Sequence, residues 1–176
     1  TTGISIFYNH QLIFASNIRF GSENITSDIM QAFQLSFNEA ERIKTLHGGL
    51  VVTNLDDNEL IELSFSDANK EYYNYDRPFI SRAELISVIR PRCEEIIEEI
   101  QISLNKTGFE QLSSKRIVFT GGGSQLPGLY ELASEYFGSR IRIGRPMRVQ
   151  GLPQALQGSQ FSAIIGLAIE ISNLQD

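Results

Sequence analysis

The chain has 176 residues, of which 41% are apolar and 20% are charged, a composition typical of a folded domain rather than a disordered one. Its net charge of −6 argues against nucleic acid as a partner, because phosphate binding draws on a surplus of Lys and Arg. A single cysteine, Cys93, excludes an intramolecular disulfide and fits a reducing cytosol. The sequence contains no apolar run of roughly 20 residues and no recognisable signal peptide, so we expect a soluble piece of a longer protein.

The chain begins with a β-hairpin pattern. Apolar and polar residues alternate over 4–8 and again over 12–20, and Asn9-His10 separates the two runs. Apolar residues at helical spacing follow and predict a helix over 25–35.

The next segment contains a helix start signal and two short apolar runs. Asn38 with Glu41 three residues later is typical of a capping box, and it predicts a second helix that ends at Gly48-Gly49. Strands are predicted at Val51-Val52 and over 59–65.

The longest helix is predicted to begin near Ser81, where Glu84 again stands at the third position, and to end at Gly108. Apolar residues recur along it every three or four positions, and Cys93 belongs to this stripe, which favours packing over reactivity. Pro91 predicts a kink or a late start.

The last third of the chain alternates strands and helices. Strands are predicted over 116–120 and 140–143, and helices over 125–137 and 160–172. This β-α-β-α order after a hairpin indicates an α/β layer.

Gly121, Gly122 and Gly123 join the first of these strands to its helix, a place where the backbone and a helix N-terminus can meet a charged or flat ligand. No Gly-Lys-Ser/Thr follows, and Leu126 stands where a dinucleotide fingerprint needs its last glycine. Both a ligand loop and a plain tight turn therefore fit.

Charged pairs give the other candidates. Glu41 and Lys44 share one helix face and are able to reach the hydroxyls of a sugar, although a solvated ion pair is the plainer interpretation. Arg90 and Arg92 flank Pro91 and suit carboxylates or a partner peptide, with an ion pair to Glu94 or Glu95 as the alternative.

Two further groups have open or plain interpretations. The paired glutamates at 94–95 and 98–99 favour a solvated face. The polar segment 66–76 is predicted to be a loop, and its Tyr72, Tyr73 and Tyr75 fit a contact patch or a lid equally well.

These motifs occur in an order that resembles actin-like ATPases. Thr1-Thr2-Gly3 resembles the end of their second phosphate motif, the segment 40–44 resembles the A-E-x-x-K helix, and Thr120 with the three glycines and Ser124 resembles the adenosine motif. Within that superfamily, the long helix around Arg90-Pro91-Arg92 is similar to that of the bacterial FtsA family.

The later segments carry the same likeness to the C-terminal half of FtsA. Ile143-Gly144-Arg145-Pro146 with Gly151-Leu152-Pro153 is similar to its late strand and loop, and 162–167 to its final helix. The resemblance implies an α/β, actin-like (ribonuclease H-like) ATPase lobe, with a mixed sheet, flanking helices and a small inserted α+β subdomain. Residues 1–37 and 108–176 would form subdomain 2A, and 38–107 the inserted, FtsZ-binding subdomain 2B.

The resemblance also implies roles for individual residues. Thr1 and Thr2 would face the nucleotide phosphates, and Glu41 and Lys44 the ribose and adenine. The adenosine would lie against the three glycines, and no residue is assigned to catalysis or to a metal. Arg92, with Arg90 beside it, would bind the acidic tail of FtsZ.

For the whole protein, the resemblance implies a cell division scaffold that binds ATP with Mg²⁺, polymerises with itself and tethers FtsZ. It would contact other divisome proteins at the cytoplasmic face of the inner membrane, through a C-terminal helix that this chain lacks. We expect at most weak ATPase activity, and none from this piece.

Two rival interpretations stay open on the sequence alone. One is an actin-like enzyme, a chaperone ATPase or sugar kinase, and the other is a rod-shape filament protein of the MreB kind.

Overall fold

A computed structural model describes residues 1–53, 55–56, 58–64, 78–108, 116–138, 140–147, 149 and 151–173. The chain divides into two compact units, Thr1–Gln111 and Leu112–Asp176. The assignment of 38–107 to an inserted subdomain is a different division, and it stays a prediction.

The predicted hairpin is confirmed. Strand β1 (Thr2–Tyr8) pairs antiparallel with β2 (Gln11–Ile18). Asn9 and His10 form the two-residue turn with φ of 48° and 65°, and Asn is among the side chains that tolerate this left-handed region best.

Helix α1 (Ser22–Phe33) begins earlier than the predicted 25–35. The side chain of Asn24 accepts a hydrogen bond from the N–H of Gly21 at 2.9 Å, which satisfies one backbone donor at the start of the helix. Gln34 ends the helix in the left-handed conformation. Because α1 extends to Ser22, both Ser22 and Thr26 lie on helical turns.

Helix α2 (Phe37–His47) is capped by Ser36, whose hydroxyl accepts a hydrogen bond from the N–H of Glu39. The prediction that Asn38 and Glu41 form a capping box is therefore wrong. Ser36 is an equally good capping residue two positions earlier, and the helix begins at the first of the two signals.

The small sheet of the first unit pairs β3 (Leu60–Glu62) antiparallel with β4 (Phe79–Ser81). The strand predicted at Val51-Val52 is wrong, because these residues have no strand pairing and their side chains are exposed. Phe65 and the predicted loop 66–76, with its tyrosines, lie outside the described residues.

Helix α3 (Arg82–Asn105) begins as predicted. The hydroxyl of Ser81 accepts from the N–H of Glu84, and the carboxylate of Glu84 accepts from the N–H of Ser81. The helix continues through Pro91, so the predicted late start is wrong, while a kink stays a prediction.

The core of the first unit lies where α1 packs against both α2 and α3. Its buried apolar residues include Ile25, Ile29, Ile43, Leu85, Ile89, Cys93 and Ile97. Burial raises the pKa of the Cys93 thiol to about 12, so this residue is a packing residue, as the apolar stripe predicts.

The second unit pairs β5 (Ile117–Phe119) parallel with β6 (Ile141–Ile143), and α4 (Leu129–Phe137) packs against β6. Helix α5 (Ser162–Asn173) follows two 3₁₀ turns. The β-α-β-α order is confirmed, but α4 begins later than predicted, because a 3₁₀ turn over Gly122–Gln125 comes first.

Gly144 in the Gly-Arg-Pro motif is explained by packing in this unit. A Cβ atom at this position would stand 2.6 Å from the Cγ1 of Val118 on β5, closer than real Cβ contacts come. The N–H of Gly144 donates to the carbonyl of Phe119 at 2.7 Å. A glycine is therefore needed where the chain leaves β6 close to β5.

Candidate functional site

The Lys44 cluster joins α1 to α2 through Ser22, Thr26, Glu41 and Lys44. The Nζ atom of Lys44 lies 2.7 Å from Oε2 of Glu41, 2.8 Å from Oγ1 of Thr26 and 3.1 Å from Oγ of Ser22. The hydroxyl of Thr26 donates to the same Oε2 of Glu41 at 2.6 Å. The predicted pair is therefore part of a four-residue network and not an isolated surface ion pair.

Burial divides this cluster into a hidden part and an exposed part. The side chain of Lys44 is 9% exposed, whereas that of Glu41 is 43% exposed. Burial raises the pKa of the Glu41 carboxyl, but hydrogen bonds from Lys44 and Thr26 and the charge of Lys44 lower it by more, so its pKa lies below the ordinary value. The cluster presents the ionised carboxylate of Glu41 to solvent, and the buried ammonium group of Lys44 holds that carboxylate in place.

Sequence reasoning identified Glu41 and Lys44 and missed Thr26. Thr26 is completely buried and lies between Ile25 and Ile29 on the inner face of α1. A hydroxyl on an otherwise apolar helix face is the signal that would have found it, because a buried hydroxyl requires a polar partner.

The predicted phosphate residues, Thr1 and Thr2, lie at the start of β1. The hydroxyl of Thr2 donates to the carbonyl of Phe20 at 2.8 Å, a bond between the two ends of the hairpin. Thr1 is exposed. The structure gives Thr2 a structural bond, and the phosphate role of both residues stays a prediction.

The glycine segment of the second unit, Gly121 to Gly123, is shaped by backbone conformation. Gly121 has φ of 92°, a region that other residues avoid, and a Cβ atom there would meet nothing within 4 Å. A Cβ atom at Gly122 would lie 3.8 Å from Cβ of Gln160, an ordinary contact. Gly121 therefore offers both an unusual backbone conformation and open space for a ligand to approach.

One side-chain hydroxyl and one backbone hydrogen bond hold this segment in place. The hydroxyl of Ser124 donates to the carbonyl of Gly121 at 2.7 Å, and the N–H of Gly121 donates to the carbonyl of Ser159 at 3.1 Å. Ser124, Gln125 and Ser159 also line a cavity of about 660 Å³ within this unit. The residues that follow the glycines thus border space that a ligand can enter.

The Arg92 cluster consists of Asp28, Arg92 and Glu95, and it joins α1 to α3. The guanidinium donates to both carboxylate oxygens of Asp28, at 2.6 and 2.9 Å, and also to Glu95. It lies 5.9 Å from the ring centroid of Phe20. The hydrogen bonds and charges of Asp28 and Glu95 raise the pKa of Arg92 further above its ordinary value. The expected ion pair with Glu95 is present, and Asp28 adds a second carboxylate.

Arg90 also makes the ion pair that the sequence offered as an alternative. Its Nε lies 2.8 Å from Glu94, and its Nη1 donates to the carbonyl of Leu50 at 3.1 Å. The glutamates at 94–95 therefore form ion pairs with Arg90 and Arg92, and the partner roles of these two arginines stay predictions.

Of the predicted residues, the structure brings together Glu41 with Lys44 and, separately, Gly121 with its two neighbours.

Among the described residues, no helix combines the length and the apolar composition needed to cross a membrane.

Solved structures of similar shape define the class of protein. A crystal structure of MreB 5 of Spiroplasma citri bound to AMPPNP matches with a TM-score of 0.72 at 15% identity, over 98% of this chain and 50% of that one. The PilM-PilN type IV pilus biogenesis complex matches with a TM-score of 0.63 at 20% identity, over 96% of this chain and 42% of that one. The chain has the actin-like ATPase fold, which confirms the predicted fold class.

Sequence comparison identifies the family. The profile described as "Cell division protein FtsA" matches residues 1–166. FtsA of Agrobacterium fabrum is 37% identical over 96% of this chain, FtsA of Rhizobium meliloti 35% over 96%, and FtsA of Escherichia coli K12 28% over 95%. The chain belongs to the FtsA family of cell division proteins, and it spans 38–40% of the length of these relatives.

Proposed function

We propose that the full-length protein is an actin-like scaffold of bacterial cell division that binds ATP with Mg²⁺, polymerises, and tethers FtsZ filaments to the cytoplasmic membrane at the division site. Membership of the FtsA family supports the role in cell division. The observation that carries the nucleotide part is the exposed Glu41 carboxylate fixed on the buried Lys44.

Each unit, taken by itself, offers a feature that suits a nucleotide. A carboxylate is an acceptor for the hydroxyl groups of a ribose, and Glu41 supplies one whose position is fixed by hydrogen bonds. The open backbone at Gly121 allows a flat or charged group to approach closely. ATP that binds the folded protomer would stabilise it by mass action.

The proposed partner site is the Arg92 cluster, with Arg90 two residues earlier on the same helix. A rigid, permanently charged guanidinium suits the acidic tail of FtsZ. Because Arg92 is already bonded to Asp28 and Glu95, an incoming carboxylate has to compete with these partners for the guanidinium. We therefore expect modest affinity with strong salt dependence.

The remaining functions belong to the full-length protein. We expect contacts with other divisome proteins, and membrane attachment through a C-terminal helix. We expect at most weak ATPase activity, and none from this chain alone, because one lobe supplies only one wall of a nucleotide cleft.

The nucleotide proposal is tested by Gly121→Asp in the full-length protein, with Gly138→Asp as the matched control. Both glycines have positive φ and open space around the missing Cβ, so both substitutions cost similar backbone strain. Only the first places a carboxylate against the proposed nucleotide.

We expect Gly121→Asp to weaken ATP binding at least tenfold in equilibrium titrations, and Gly138→Asp to bind within about twofold of wild type. Equal ATP affinity in the two variants would remove the glycine segment from the nucleotide site.

A further inference from the structure

We propose that Thr26 and Lys44 are positioning residues that fix the Glu41 carboxylate for the ribose hydroxyls of the nucleotide, and that Lys44 does not contact the nucleotide itself. This inference rests on the proposed ATP binding. In this inference the nucleotide contacts Glu41 alone and not both Glu41 and Lys44. Thr26 of α1 joins the site as a residue that positions the carboxylate.

The donors of Lys44 are all used within the protein. An ammonium group has three N–H donors. The three shortest contacts of Nζ are to Glu41, Thr26 and Ser22, and a fourth, to the carbonyl of Ser22, lies at 3.3 Å. With a side chain only 9% exposed, Lys44 has neither a free donor nor an open path to a ligand.

The hydroxyl of Thr26 is oriented by the same network. Because its oxygen accepts from Lys44, its proton points to another acceptor. Oε2 of Glu41 lies at 2.6 Å, whereas the carbonyl of Ser22 lies at 3.4 Å. The proton therefore goes to Glu41, and Thr26 relays the position of α1 to the carboxylate on α2.

Glu41 is left with one oxygen for a ligand. Both internal bonds end on Oε2, and the side chain is 43% exposed, so we assign Oε1 as the oxygen that accepts from a ligand. A carboxylate fixed by charge-assisted bonds accepts hydrogen bonds and cannot donate them. A sugar hydroxyl that donates to this carboxylate strengthens nucleotide binding. A deoxyribose weakens binding, because it leaves the carboxylate without that donor.

The test measures sugar preference rather than affinity alone. Dissociation constants of ATP, 2′-deoxy-ATP and 3′-deoxy-ATP are measured on the full-length protein for wild type, Thr26→Val, Thr26→Ser and Glu41→Gln. Thr45→Val is the matched control, because Thr45 is exposed on the same helix as Glu41. A merely structural role of Thr26 would weaken all three nucleotides equally and leave their ratio unchanged.

We expect wild type, Thr45→Val and Thr26→Ser to prefer ATP over at least one deoxy analogue by about tenfold. Thr26→Val and Glu41→Gln should reduce this preference to less than threefold. Thr26→Ala replaces Thr26→Val if the latter does not fold, because it removes the hydroxyl without placing a methyl group beside Lys44.

The outcomes separate the inference from the proposed function. A wild-type protein that binds no ATP overturns the proposed nucleotide binding. ATP binding without a sugar preference, or an undiminished preference in the Thr26 variant that lacks the hydroxyl, overturns the positioning role and leaves ATP binding standing.

Discussion

Two charged clusters are attached to α1, and they differ in which charge reaches solvent. In the Lys44 cluster the cation is buried and the carboxylate of Glu41 is 43% exposed. In the Arg92 cluster the cation lies between two carboxylates, and the side chains of Asp28 and Arg92 are about equally exposed, at 24% and 26%. The Lys44 cluster presents one carboxylate acceptor in a fixed position, whereas the Arg92 cluster presents an arginine that is already paired with two carboxylates.

The difference has a consequence for how each cluster binds. A ligand at the Lys44 cluster adds a bond to an oxygen that the protein leaves open. A carboxylate ligand at the Arg92 cluster competes with Asp28 and Glu95 for the guanidinium, so repulsion from these two carboxylates offsets part of its gain. Preorganisation therefore strengthens ligand binding at the Lys44 cluster, whereas competition from its own carboxylates weakens ligand binding at the Arg92 cluster.

The largest expected effect comes from removing the buried cation. Lys44→Met leaves the hydroxyls of Ser22 and Thr26 and the carboxylate of Glu41 without their donor, and we expect it to lower the free energy of unfolding by about 2–3 kcal/mol. Arg92→Met should cost only about 1 kcal/mol, because its carboxylate partners are partly hydrated.

Urea denaturation monitored by circular dichroism measures both losses. Lys106→Met, at an exposed lysine just after α3, is the control and should change the unfolding free energy by less than about 0.5 kcal/mol. A Lys44→Met loss no larger than that of Arg92→Met would contradict the contrast between the two clusters.

A smaller effect is expected on the pH dependence of stability. The pKa of Glu41 lies below the ordinary 4.5, so its ionised form stabilises the folded state at and above that pH. This contribution is lost as the pH falls below about 4.5 through the folded-state pKa.

Glu41→Gln should therefore show a shallower fall in thermal midpoint below pH 4.5 than wild type, whereas Thr45→Val should follow wild type. Parallel curves for wild type and Glu41→Gln would mean that the Lys44 cluster does not hold the carboxylate in its charged form.

Much of the fold followed from local signals. The alternation at 4–8 and the Ser81–Glu84 pair predict the hairpin and the start of α3, because turn geometry and capping depend on residues near in sequence. Local signals do not decide the start of α2, since Ser36 and Asn38 are both good caps. At Val51-Val52, β propensity without a pairing partner does not make a strand.

The candidate site is only partly predictable, because some of its residues are near one another in sequence and others come from another helix. Glu41 and Lys44 are three residues apart, so their shared face follows from helix geometry. Thr26 and Asp28 come from another helix, and only the packing of α1 against α2 and α3 brings them to Lys44 and Arg92. The sequence pattern identified the charged residues, but their partners depend on tertiary contacts.

The central claim, a cell division scaffold that binds FtsZ through the Arg92 cluster, is tested most directly by titrating a labelled FtsZ tail peptide onto the full-length protein. Wild type is compared with Arg92→Glu, Asp28→Asn and the control Lys106→Glu, which makes the same charge change elsewhere. We expect Arg92→Glu to lose at least tenfold in affinity, Lys106→Glu to stay within twofold, and Asp28→Asn to gain severalfold because it frees the guanidinium. A wild-type protein that does not bind the peptide, or an Arg92→Glu variant that binds it equally well, would contradict the account.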